Sequence, residues 1–193
     1  NNGDRLKEAI LSIAHAWVER GEGDQKWLDY LEGGRVTYPL TMIDKITPRP
    51  DAGIARDLAA EGIEGFSPLV TRRHTHTAAF VNAESAEYLV IEDEFSNGRP
   101  PLERAGIRFC DRETVKKVER MKVTTCLNPL HTALAVLGCL LGFQTIHEEM
   151  GDPELREFVS RMAYREGLPV VEDPGIVDPR AFLHEVLNRR FNN

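Results

Sequence analysis

Lys122-Val123-Thr124-Thr125-Cys126-Leu127-Asn128-Pro129-Leu130-His131 lies within the part of the chain, beyond Asp111, that reads as helical to its end. Pro129 directly after Asn128 predicts Asn128 as N-cap and Pro129 as first helical residue, because the amide proline lacks is one that a first turn leaves unbonded anyway. The apolar run beyond, densest from Ala133 to Phe143, predicts one long helix from Leu130 to Met150. Further helices are predicted at Thr114 to Met121 before it, and at Pro153 to Glu166 and Pro179 to Phe191 after it.

Upstream of Asp111 the texture differs. Leu6, Ile10, Ile13 and Trp17 recur at helical spacing, giving a helix from near Asp4 to near Gly21, and Trp27, Leu28 and Leu31 give a short second one that stops at Gly33-Gly34. Val36 to Pro39 and Met42 to Ile46 read as extended, and a third helix runs around Ala52 to Ala60. β-Rich pieces follow at Leu69 to Thr71, Thr77 to Val81, Tyr88 to Glu92 and Ile107 to Cys110, with a loop at Asn97 to Pro101. The fold class expected is α+β: a mixed α/β portion over 1–111, then an all-helical portion over 112–193.

The 193 residues, 41% of them hydrophobic, can bury a sizeable core. A net charge of −7 and a pI near 5.4 argue against nucleic acid as the main partner, since phosphate binding needs a concentrated basic face. Cys110, Cys126 and Cys139 are odd in number and lack CxxC spacing, which reads as reduced thiols in a cytoplasmic protein. No unbroken apolar run reaches the roughly 18 residues of a membrane span, so no membrane partner is expected. The chain opens on Asn1 and closes without an obvious stop, and the expectation is an internal piece of a longer protein.

The decapeptide also carries chemistry. A carbonyl that gains hydride develops negative charge on oxygen, so it needs a proton donor and fixed hydrogen-bond donors in a dry site. Lys122 offers the proton, Asn128 a neutral donor and His131 a second donor, while Glu119, three residues before Lys122, could relay a proton to it. The plainer readings are a helix cap, a surface histidine and a surface Glu–Lys pair. His74 and His76 form an HxH pair that an extended strand would point to one side, but no third ligand follows at a metal spacing, so no metal is assigned. Gly21-Glu22-Gly23 follows a helix and has Lys26 where a dinucleotide fingerprint needs its third glycine, so it is a loop and the chain shows no Rossmann phosphate loop.

Three segments together resemble the polyol-specific long-chain dehydrogenase/reductase family, which includes mannitol 2-dehydrogenase, fructuronate (mannonate) reductase and tagaturonate reductase. Met42-Ile43-Asp44-Lys45-Ile46-Thr47-Pro48 is similar to the family's Met-Val-Asp-Arg-Ile-Thr-Pro. Val90 to Phe95 with Gly98-Arg99-Pro100 resembles its Ile-Glu-Asp-x-Phe-x-x-Gly-Arg-Pro, and Lys122 to His131 its Lys-x-x-x-x-Asn-x-x-His. Asn2-Gly3-Asp4 looks like the close of a further family segment. The resemblance implies a metal-independent, NAD- or NADP-dependent exchange between a sugar alcohol or aldonate and its ketose or keto-acid. It implies Lys122 as general acid/base, Asn128 polarising the carbonyl, His131 binding substrate hydroxyls, Glu119 as proton relay and Asp44 at the cofactor cleft. It also implies a helical domain like the C-terminal domain of 6-phosphogluconate dehydrogenase, with the Rossmann portion of the same protein lying before Asn1. One departure is clear: five residues separate Lys122 from Asn128 where the family usually has four, so a bulge or a shifted helix start must absorb one.

Two rivals remain open on the residues alone. One is a non-catalytic helical interaction module, in which Lys122, Asn128 and His131 disperse over the surface; the other is a metal-dependent enzyme built on His74 and His76.

Overall fold

The structure is a computed structural model that describes residues 1–45, 47, 49–83 and 88–192, apart from the side chain of Asp44. In chain order its elements are α1 (Asn2–Glu19), α2 (Gln25–Glu32), β1 (Thr41–Asp44), α3 (Ala52–Ala60), β2 (Leu69–Val70), β3 (His76–Thr77), β4 (Tyr88–Glu92) and β5 (Arg108–Cys110). Only helices follow: α4 (Arg112–Arg120), α5 (Asn128–Leu141), α6 (Ile146–Gly151), α7 (Pro153–Arg161) and α8 (Pro179–Asn188). Two π turns are interleaved with them, Met121–Cys126 and Met162–Gly167. The fold is mixed α/β and mostly helical.

The chain forms two compact units, one of Asn1–Met42 with Val90–Asn193 and one of Ile43–Leu89. The expected boundary near Asp111 falls inside the larger unit, at the N-cap of α4. In the smaller unit, Asp51 caps α3 by accepting from the amides of Gly53 and Ile54 at 2.7 and 3.0 Å, and β2 and β3 make an antiparallel hairpin with Val70 opposite His76. His74 does not share that strand. It sits in the connecting turn at φ 58°, so the expected extended HxH pair is broken by the turn itself.

In the larger unit, β4 runs parallel to β5, with Ile91 opposite Phe109, in a three-stranded sheet of order β1-β4-β5. The start of α1 is bound to the segment beside this sheet by the Asn2-Gly3 pair. Asn2 Nδ2 donates to Thr41 Oγ1 at 2.5 Å, and a Cβ at Gly3 would stand 2.4 Å from the Tyr38 carbonyl, an approach only glycine permits. Helices α1 and α2 close over Ala14, Leu28 and Leu31, with Ile10, Leu11 and Val18 around them. The apolar stripe expected on α1 is therefore rotated: Ile10 packs inward, while Leu6, Ile13 and Trp17 stay largely exposed, Trp17 stacking on Trp27 at 5.7 Å.

The helix expected over Leu130 to Met150 is two helices. Gly142, at φ 90°, ends α5 in the left-handed conformation, with Phe143 N donating to Gly138 O at 2.9 Å. Thr145 then opens α6 with a capping box, its side chain accepting from Glu148 N while Glu148 accepts from the Thr145 amide. Those backbone bonds hold the Glu148 carboxyl below its usual range.

Arg112 to Leu141 is one 30-residue helical run whose most apolar 18-residue window has a mean hydropathy of 1.4, enough by length and composition to cross a membrane. Here Val115, Val118, Met121, Cys126, Leu130 and Leu134 of that run are buried in the unit's own core, beside Val159 of α7 and Leu183 and Val186 of α8.

Candidate active site

Local chemistry explains why this long run is not a regular helix. Val123, Thr124 and Thr125 are three β-branched residues in succession, which crowd an α-helical turn. Thr124 Oγ1 donates back to the Arg120 carbonyl at 2.6 Å, a bond that bends helices. Pro129 has no amide to give the carbonyl four residues before it, that of Thr125. The backbone answers with a π turn: Leu127 N donates to Lys122 O at 3.0 Å, one residue further than an α-helix allows. Leu127 itself leaves helical geometry at φ −130°, ψ −66°, and α5 begins at Asn128. This turn is the bulge that the extra residue between Lys122 and Asn128 demands.

Lys122 is half-buried on the π turn, and Glu119 is half-buried one turn earlier on α4, which continues into the π turn without a break. Glu119 makes no ion pair with another described residue, so the surface Glu–Lys pair of the plainer reading is not formed. Asn128 is the first residue of α5 and not its N-cap; Leu127 takes that place and contributes no side-chain bond. Asn128 is exposed, and its amide bonds to no other described residue. His131 is exposed one turn on, its ring edge-on to Phe191 at 6.2 Å. Glu119, Lys122, Asn128 and His131 thus share one helical run, two on each side of Leu127. Asp44 closes β1 outside the larger unit, and its side chain lies outside the described residues.

The π turn has a counterpart. In the second one, Gly167 comes so close to the first that an added Cβ would lie 3.2 Å from Thr125 Cγ2. A cavity of about 210 Å³ opens where they meet, lined by Thr124, Thr125, Pro129, Leu130, Met162 and Gly167 among others. Burial pushes the thiols of Cys110 and Cys126 up to about 11, which keeps both neutral near pH 7. Among the described residues no group of three or more His, Cys, Asp or Glu is gathered as a metal site.

One residue absent from the sequence-based set stands out. Glu149, on α6, is 3% exposed, and its carboxyl is raised above the usual range by burial, against the pull of His131. Nothing in the sequence distinguishes it from Glu148 beside it.

Residues 114–193 match the mannitol dehydrogenase C-terminal domain. The chain belongs to the mannitol dehydrogenase family. Its whole length is 53% identical to the D-mannonate oxidoreductase of Thermotoga maritima. Among solved structures of the family, a substrate-free D-sorbitol dehydrogenase superposes on the whole chain with a TM-score of 0.77 at 28% identity. The mannitol 2-dehydrogenase of Pseudomonas fluorescens, in ternary complex with NAD and D-mannitol, does so with a TM-score of 0.67 at 28% identity. The chain covers 36% of the first relative and 35% of each of the two structures, about a third of a family member's length.

Proposed function

We propose that this chain is the acid/base-bearing part of an NAD(P)-dependent oxidoreductase that interconverts a sugar alcohol or aldonate and its ketose or keto-acid, of the mannitol/fructose or mannonate/fructuronate type. The observation that carries the proposal is the 53% identity to a D-mannonate oxidoreductase along the whole chain. The mechanism is metal-independent. The boundary near Asp111 belongs to the same reading, with 1–111 closing the cofactor-side domain and 112–193 opening the catalytic one.

The chain's described residues do not fit a dinucleotide by themselves. Where β5 runs into α4 the turn is Asp111, whose carboxylate already accepts from Thr114 N at 2.9 Å, and no glycine is present to let a pyrophosphate approach. The nicotinamide cofactor, which supplies the hydride, is therefore assigned to a Rossmann portion of the same protein, with Asp44 contributing from this chain.

What these residues supply is the proton and the hold on oxygen. In the reductive direction Lys122 Nζ gives its proton to the former carbonyl oxygen, and Glu119 returns one to the amine from the solvent side. The Asn128 amide, unbonded here, donates to that same oxygen as its charge grows. His131 donates to a neighbouring substrate hydroxyl. A cytoplasmic setting goes with the free thiols of Cys110, Cys126 and Cys139.

The test is assembly. Purified 1–193 is expected to show no ketose- or keto-acid-dependent NADH oxidation, while the chain joined to its Rossmann portion reduces a keto-sugar or hexuronate from a substrate panel run with both cofactors. Turnover by 1–193 alone, or none by the whole with any of the panel, contradicts the proposal.

A further inference from the structure

The two π turns lean on each other at one point, and catalysis as proposed above makes no use of it. The second turn closes as the first does, Leu168 N donating to the Ala163 carbonyl where Leu127 N donates to that of Lys122. Gly167, its last residue, has ordinary helical angles, φ −73° and ψ −52°, which any residue adopts. Glycine in a helical turn is disfavoured against alanine, so its conformation does not account for it. What Gly167 provides is room. A Cβ there would meet Thr125 Cγ2 at 3.2 Å and the Met162 carbonyl oxygen at 3.3 Å, so close that one turn would have to yield by a few tenths of an ångström.

The Thr125 side chain is held in that contact. The Thr124 hydroxyl spends its one proton on the Arg120 carbonyl at 2.6 Å, so in the 3.3 Å bond between the two hydroxyls Thr125 is the donor. Turning its methyl away from Gly167 would break that relay. Met121 and Cys126 of the first turn and Ala163 of the second are buried, and α8 packs against both turns. A push on Thr125 therefore passes into the backbone of the first turn, whose closing bond is taken by the carbonyl of Lys122 itself. The cavity on the seam, which Thr124, Thr125, Pro129 and Gly167 help to line, gives a displaced turn somewhere to go without unfolding.

We propose that Gly167 is a positioning residue for Lys122: by leaving room for the Thr125 methyl, it lets the second π turn seat the first in the geometry that presents the amine. The proposal rests on Lys122 as the acid/base assigned above. Gly167 touches neither substrate nor cofactor, and it acts only through the turn it supports.

The test is steady-state kinetics on the whole enzyme with Gly167→Ala. Moving the acid/base by a few tenths of an ångström should lower kcat about tenfold, with the substrate KM and cofactor affinity within about twofold and Tm nearly unchanged. Thr125→Ser takes away the methyl and keeps the hydroxyl, so in that background the same alanine should cost less than about threefold. In Lys122→Ala, which has already lost the group being placed, it should cost nothing further. An alanine that leaves kcat unchanged, that acts on KM instead, or that costs the same in all three backgrounds overturns the proposal. If Gly167→Ala does not fold, the double variant with Thr125→Ser is judged instead: it should fold and turn over, and failure on either count overturns the proposal. Wild-type turnover in Lys122→Ala removes the acid/base role and this inference with it, whereas a crippled Lys122→Ala on which the Gly167→Ala loss is fully additive overturns this inference alone.

Discussion

Two signature segments of this family behave in opposite ways. In Glu92 to Arg99 the polar groups are spent inside the molecule: buried Glu92 accepts from the Leu40 amide at 2.9 Å and from Arg112 Nη1 at 3.0 Å. Arg99 binds Asp93 through two bonds of 2.7 and 3.0 Å and Glu103 through a third of 2.7 Å, with its guanidinium 3.4 Å from the centroid of the Phe109 ring. Those carboxylates hold the Arg99 guanidinium well above its usual range, and Arg99 in turn holds Asp93 below its own. In Lys122 to His131, the side chains of Asn128 and His131 are exposed with no hydrogen bond to a described residue, and the backbone before them is bent into a π turn. Equal specificity to a family therefore conceals two kinds of residue. One kind is used by the fold itself; the other is the kind to which the proposal above gives a catalytic role.

Substitutions in the two segments should separate activity from stability. The largest expected effect is in the whole enzyme: Lys122→Ala should lower turnover by about 10²–10⁴-fold, the usual worth of a positioned acid/base, with cofactor affinity and Tm nearly unchanged. Steady-state kinetics and a cofactor titration read this, and a collapse of Tm in step with turnover would assign Lys122 to the frame. Glu92→Ala should do the reverse, costing about 3 kcal/mol of unfolding free energy because it leaves Arg112 and the Leu40 amide without their buried partner. Denaturant unfolding measures that, and a loss below about 1 kcal/mol would show the network to be surface decoration. The smallest effect lies outside both segments. Thr145→Ala, which removes half of the α6 capping box, should cost about 1 kcal/mol.

Much of the frame was legible in the residues. Helices α1, α2 and α3 and strands β4 and β5 are local patterns, and they stand within a few residues of where periodicity puts them. The break between α5 and α6 was equally written there, in Gly142 and in Thr145-Ile146-His147-Glu148, but the apolar run through Ala133 to Phe143 masked it. The π turn was legible only as one residue too many between Lys122 and Asn128, and the structure shows the chemistry behind it in the Thr124 back-bond and in Pro129. The inward face of α1 was not legible, because Leu6, Ile13 and Trp17 satisfy the same helical spacing as the residues that are buried. Glu149 had no signal at all. Its burial depends on a glycine eleven residues earlier, on another helix, and no local pattern records that pairing.

The central claim is that Lys122, on its π turn, moves the proton. Chemical rescue tests it most directly: small primary amines of graded basicity are added to the Lys122→Ala enzyme and turnover is followed with each. The account predicts that in the oxidative direction, where the amine takes the proton of the substrate hydroxyl, amines restore turnover in proportion to their basicity, as a base missing from its place requires. Turnover that stays at the wild-type rate without amine, or that no amine restores in a folded, cofactor-binding enzyme, would contradict it.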